Sequence, residues 1–147
     1  MLDKIKKMLF SFYDKNDKIG LFFSLYDANN ALILSSGTLV TDKSMNDLVD
    51  ILYHSILEKQ TNVHTVTIDI VKEVQLKPDM ANLMNLSPKE YGIFAINKES
   101  QKTGVILPNM QGVDTIQVAL ALIKQKHDLS GNVEISTFTT RRIAFTV

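Results

Sequence analysis

The chain has 147 residues, enough for one ordinary globular domain with a real core. Its 45% hydrophobic and 22% charged content excludes the disordered and fibrous classes. Lys+Arg and Asp+Glu both number 16, and the densest basic clusters are only Lys4, Lys6 and Lys7 and the pair Arg141-Arg142, so no nucleic-acid partner is expected. The absence of cysteine excludes disulfides, a thiol nucleophile and thiolate metal sites. No segment has the continuous apolar run of a signal peptide or a membrane span, which predicts a cytoplasmic protein with no transmembrane segment.

Leu2, Ile5, Leu9 and Phe12 recur at helical spacing and predict an opening basic amphipathic helix. Such a helix either docks on the body of the protein or binds a membrane or polyanion surface. The stretches from Gly20 and from Ala31 flank Asp27-Ala28-Asn29-Asn30, as in a β-hairpin. Ser44 then opens a helix with Asp47 at the third position of a capping box. Its stripe is Met45, Leu48, Val49, Leu52 and Ile56, reaching about Glu58.

From Thr65 the period changes to two. Val66, Ile68, Ile70 and Val74 share one face of a strand, while Thr65, Thr67, Asp69 and Glu73 share the other, read as facing solvent. Pro78 is placed in the first turn of a short helix. Residues 91–97 and 103–107 read as a second hairpin, followed by a long apolar helix and a final strand from Val133 that continues toward the end. On the long helix, Ile116, Ala119, Leu120 and Ile123 form one stripe. Val118 and Leu122 stand beside it and are expected to be covered by the other lobe or by a partner subunit.

No catalytic set assembles from these residues. Asp50, His54 and Glu58 lie four apart on one helix face, which predicts a solvated face with weak ion pairing. No converging ligand set predicts a metal, and no cofactor is expected. Ser35-Ser36-Gly37 is the only serine cluster at a strand end, but it lacks the elbow context and an assignable base. His64 and His127 read as structural or exposed, the latter in the last turn of the long helix. Asp69 is the one carboxylate inside a Val/Ile strand.

The order of elements, with S-G-T-L after the first hairpin, G-V-I-L-P at residues 104–108 and a helix ending in K-x-K-H-D-L, resembles the AMMECR-type domain family. That family is named for an Alport syndrome and elliptocytosis chromosomal region. The resemblance covers roughly Gly20 to Phe138. Family members carry L-R-G-C-I-G-x-L after the first hairpin strand, a G-L-L-L-P-Q-V segment and a Trp-containing helix. Aligned on Gly37 and Leu39, the signature's Leu falls on Leu32. Its Arg becomes Ile33, its first Gly Leu34, its Cys Ser35 and its next Ile Ser36, while Ile116 stands near the family Trp. Replacing Arg removes a cation and five N–H donors.

The resemblance implies one two-lobed α+β domain over residues 1–147, mostly antiparallel sheet with packed helices. It also implies an accessory role, since some relatives are fused to or encoded beside Memo-like and radical-enzyme domains. The sequence-based expectation is a non-enzymatic accessory or binding module with a protein partner or a homo-oligomer. Its candidate surface comprises Ser35, Ser36, Gly37, Pro108, Val118 and Leu122. The alternatives are an enzyme with a polar site between lobes and a surface binder acting through its basic opening helix.

Overall fold

In the computed structural model, which describes residues 1–126, 129 and 131–147, the chain begins with α1 (Leu2–Leu9), β1 (Leu21–Tyr26) and β2 (Leu32–Thr38). Then follow α2 (Met45–Leu52), a π-helical turn (Tyr53–Leu57), β3 (Thr65–Leu76) and α3 (Met80–Met84). β4 (Gly92–Asn97), β5 (Thr103–Ile106), α4 (Ile116–Lys126) and β6 (Val133–Thr146) complete it. The strands hydrogen-bond in the order β2-β1-β3-β6-β4-β5. The pairs β1–β2, β1–β3, β4–β5 and β4–β6 are antiparallel. The α+β class read from the sequence is the class observed. The chain divides into two compact units, Met1–Ile70 with Arg141–Val147, and Val71–Thr140.

In the first unit, alternation along β1 and β3 sends Leu21, Phe23, Leu25, Val66, Ile68 and Ile70 into one apolar cluster. Ile5 and Leu9 of α1 join it, as do Met45, Leu48, Val49 and Leu52 of α2. Burying each such side chain contributes roughly 1.5–3 kcal/mol, so α1 is held by its apolar face. The turn between β1 and β2 is built by Asp27, whose Oδ1 accepts the N–H groups of Asn29 and Ala31 at 2.9 and 3.0 Å. Ser44 caps α2 as predicted, its Oγ accepting the Asp47 N–H at 3.2 Å.

The end of that helix differs from the simple 3.6-residue pattern. The Glu58 N–H donates to the Tyr53 carbonyl at 2.9 Å, a five-residue step that inserts one extra residue into the turn. The buried stripe therefore passes from Leu52 to Leu57, and Ile56 is left half-buried.

The second unit has its own core. Ile93 and Ala95 of β4 pack with Ile116, Ala119 and Ile123 of α4, together with Leu83, Val113 and Leu129. The short helix starts at Met80, two residues later than a first helical position at Pro78. Asp79 is its N-cap, with Oδ1 accepting the Asn82 N–H at 2.8 Å, so Pro78 precedes the helix. The predicted cover over α4 is only partial. Leu122 packs against the cluster half-buried, but Val118 is 38% exposed. One stripe suffices to dock α4, and Val118 lies on the far side of the helix from it.

The π turn makes a prediction that ordinary helical periodicity reverses. Leu57→Ala should cost about 2–5 kcal/mol. Ile56→Ala should cost clearly less, as read from urea unfolding midpoints at unchanged slope. Equal losses, or a larger loss at Ile56, would mean that the helix continues without the extra residue.

Candidate functional site

Strand alternation separates the two candidate serines. Ser36 pairs across from Phe23, on the apolar face, whereas Ser35 pairs across from Ser24 on the opposite face. The Ser35 and Ser24 hydroxyls share a hydrogen bond of 2.9 Å. Gly37 lies opposite Phe22, and a Cβ there would stand 2.0 Å from the Leu21 carbonyl oxygen and 2.8 Å from the Phe22 ring. Only glycine permits that approach, so Gly37 serves packing.

Two strands carry the same face further. Ser24 is opposite Thr67, and Phe22 is opposite Asp69. Ser35, Ser24, Thr67 and Asp69 therefore share one face of the first unit's sheet, on the side away from the apolar cluster. The reading of this face as solvated is corrected at its centre, because Ser24 and Asp69 are both 0% exposed. A carboxylate without water needs charged or hydrogen-bonding partners to remain. Arg142 of β6 supplies one, its Nε donating to Asp69 Oδ1 at 2.9 Å with 29% of its own side chain exposed. The neighbouring Arg141 guanidinium lies 4.1 Å from the centre of the Phe12 ring, a cation–π contact.

The arrangement can orient polar groups, but it supplies no evident proton shuttle. The Ser35 hydroxyl is engaged by another hydroxyl rather than by a base, and Asp69 accepts from a guanidinium, which has no acceptor atom. Sequence reasoning missed Ser24 and Arg142 as members of this face. Ser24 had a signal, being the one polar residue in LFFSLY; Arg142 had only the loose signal of a basic pair.

The remaining candidates are dispersed. His54 Nδ1 lies 2.6 Å from Glu58 Oε2 with both side chains 57% exposed, while Asp50 pairs with Lys6 at 2.7 Å. The solvated reading of that face stands. Among the described residues no group of three His, Asp or Glu side chains is placed to hold a metal ion. His64 is exposed, and its main chain donates to the Tyr26 carbonyl at 2.7 Å and accepts from Val147 at 2.8 Å. Ser35, Ser36 and Gly37 belong to the first unit, whereas Pro108, Val118 and Leu122 belong to the second. Pro108 is buried. His127 falls outside the described residues.

The second unit contributes a charged cluster that the sequence did not suggest. Lys98 Nζ lies 2.6 Å from Glu134 Oε2, and Lys77 Nζ lies 3.8 Å from Oε1. The hydrogen bond from Lys98 holds the Glu134 carboxyl below the ordinary glutamate range, with partial desolvation opposing it and Lys77 adding to it. A hollow of about 370 Å³ opens beside Lys98, Glu99, Asn132, Val133 and Glu134.

Comparison with known proteins gives no function directly. No family model matches the chain. It is similar to Protein CA_C1420 of Clostridium acetobutylicum, 33% identical over 67 residues, and to a protein of Thermotoga maritima, 32% identical over 80 residues. These matches cover 46% and 50% of this chain but only 14% and 45% of the two relatives, so the chain spans less than half the length of either. The crystal structure of an uncharacterized protein, PH0010 of Pyrococcus horikoshii, shares the fold with a TM-score of 0.68 at 16% identity. That similarity covers 89% of this chain and 75% of the other.

Two outcomes follow from the charged groups. Arg142→Met leaves Asp69 buried without its guanidinium and should destabilise by about 3 kcal/mol, the low end for breaking a buried pair because Arg142 is partly solvated. Adding Asp69→Asn should recover part of that loss in a double-mutant cycle; strictly additive losses would show that the pair is not coupled. At the other cluster, a lowered folded pKa means that Glu134 adds stability above the unfolded glutamate value and loses it as pH falls through the folded one. Lys98→Gln should therefore raise the Glu134 pKa in a carboxyl NMR titration and flatten the acid-side loss of stability. Lys77→Gln should do so less. An unmoved Glu134 titration in Lys98→Gln would overturn the assignment.

Proposed function

We propose that this chain is a divergent AMMECR-type domain acting in the cytoplasm as a non-enzymatic accessory or binding module. The observation that carries this reading is the mutual engagement of polar groups on the Ser35 face: Ser35 with Ser24, and Asp69 with Arg142. An active nucleophile needs a base within hydrogen-bond reach and a base needs a proton to accept. Here the hydroxyl meets a hydroxyl and the carboxylate meets a guanidinium. Of the residues aligned with the family signature, Leu32 through Thr38 lie on β2 and Leu39 follows it, with Ser35 aligned to the family cysteine.

Similarity to PH0010 supports the α+β fold and nothing finer. The surface-binding alternative through the opening helix is disfavoured because Ile5 and Leu9, the residues a membrane would take, are committed to the core. The absence among the described residues of a helix long and apolar enough to cross a membrane is compatible with a cytoplasmic place.

Two measurements test the reading. A fluorophosphonate probe followed by peptide mass spectrometry should modify none of Ser24, Ser35 and Ser36. Crosslinking of the tagged protein in its source cells should recover one partner protein at near-equal amounts, with reciprocal recovery from the partner. Labelling of Ser35 that disappears in Asp69→Asn would replace the accessory reading with an enzymatic one.

A further inference from the structure

Building on the binding-module reading, we infer that the free edge of β2 is a docking site for an extended, uncharged peptide segment of a partner protein, added to the sheet as a further strand. The strand order puts β2 at one end of the sheet, paired with β1. Among the described residues, no main-chain hydrogen bond joins Leu32–Thr38 to anything other than β1. An edge strand presents a row of N–H and C=O groups, and the occupant that satisfies such a row is another extended backbone.

The two edges of the sheet are treated differently. β5 is four residues long, and Pro108 follows shortly after its end. Short length and a nearby proline are devices that blunt an edge. β2 has seven residues, LILSSGT, with no charge, no lysine and no proline among them. Its one irregularity is at the turn end, where Leu25 pairs with Leu34 and Tyr26 with Leu32, leaving Ile33 as the extra residue of a bulge. The ladder from Leu34 to Thr38 is regular. At about 3.3 Å per residue this gives an open edge of roughly 17 Å.

The absence of charge selects the occupant. An acidic or basic strand laid against Leu34–Thr38 would find no opposite charge on β2, whereas aliphatic and hydroxyl side chains match both of its faces. A second copy of this chain meets the charge condition equally but gains too little area. Pairing along this edge engages five residues a side, Leu34–Thr38, already half-buried apart from Gly37, against the roughly 20–30 residues a side of stable protein interfaces. A peptide relies instead on main-chain hydrogen bonds, with alternate side chains giving selectivity.

The test uses the unaltered protein, ¹⁵N-labelled, and the acetylated and amidated peptide KKTVTVTVTKK, whose seven-residue uncharged core is the pairing segment and whose terminal lysines serve solubility beyond the edge. The control is the same peptide N-methylated at its central Val and the following Thr, so that neither of its edges keeps a full ladder at unchanged charge. Binding should shift amides in and beside Leu34–Thr38 and slow their hydrogen exchange. The methylated peptide should bind at least tenfold more weakly. No binding, equal affinity for the methylated copy, or shifts centred on another surface would each overturn the edge assignment while leaving the accessory reading to its own test. A peptide-free dimer with protected β2 amides would overturn the choice of occupant in favour of a second copy. Serine labelling, conversely, would remove the accessory reading without touching the edge measurement.

Discussion

The burial of β1 on both faces is the constraint from which the first unit follows. Leu21, Phe22, Phe23, Ser24 and Leu25 are five consecutive buried residues, yet a strand sends alternate side chains to opposite sides. One side can be satisfied by apolar packing alone, and Phe23 with its neighbours does this. The other side includes Ser24 and, opposite Phe22, Asp69, neither of which has surface exposed to water. Unpaired, a buried hydroxyl or carboxylate costs several times what an ordinary hydrogen bond contributes. The Ser24–Ser35 hydrogen bond and the Asp69–Arg142 ion pair are therefore consequences of burying β1, and β2 and β6 supply the partners.

The same constraint explains why a polar face need not be a reactive one. Arg142 reaches Asp69 from 73 residues away in the sequence, and a guanidinium offers donors and no acceptor. The pairing fixes charge in place without offering a transferable proton. At the Lys98–Glu134 cluster of the second unit the situation is different in kind: the groups are partly solvated, the carboxyl is held ionised to lower pH, and the arrangement responds to acid. Each unit thus carries its own polar feature, one enclosed and one titratable.

Much of the fold was legible because its elements obey single periods. Leu2, Ile5 and Leu9, the Asp27 turn, the Ser44 cap and the alternation from Thr65 each signal an element locally, and each forms. The misreadings came where a nonlocal partner decides exposure. A charged partner of the buried Asp69 is Arg142, 73 residues away, and no spacing rule links the two. The π turn was hidden because one inserted residue moves burial from Ile56 to Leu57 without changing composition. Val118 was misjudged for the opposite reason: an apolar residue need not be covered once one stripe has docked the helix, and single exposed aliphatic side chains are ordinary. The serine cluster dissolved for the plainest reason, since adjacent residues on a strand cannot share a face.

Ile33 ties the sequence departure to the open edge. The AMMECR-type signature carries an arginine where this chain has Ile33, and a long cation on an edge strand is one of the features that keeps another strand away. Here the residue is aliphatic and sits in the bulge, while the five residues after it continue as a regular, uncharged ladder. An aliphatic side chain there offers no donor fork to an anionic ligand and no charge that would repel or misalign an added strand. A bulge at the turn end also fixes where pairing can begin, because the extra residue breaks the alternation that a partner must follow. The one residue thus bears on two readings: it departs from the signature's ligand chemistry, and it leaves the β2 edge without the charge that would oppose a proposed added strand.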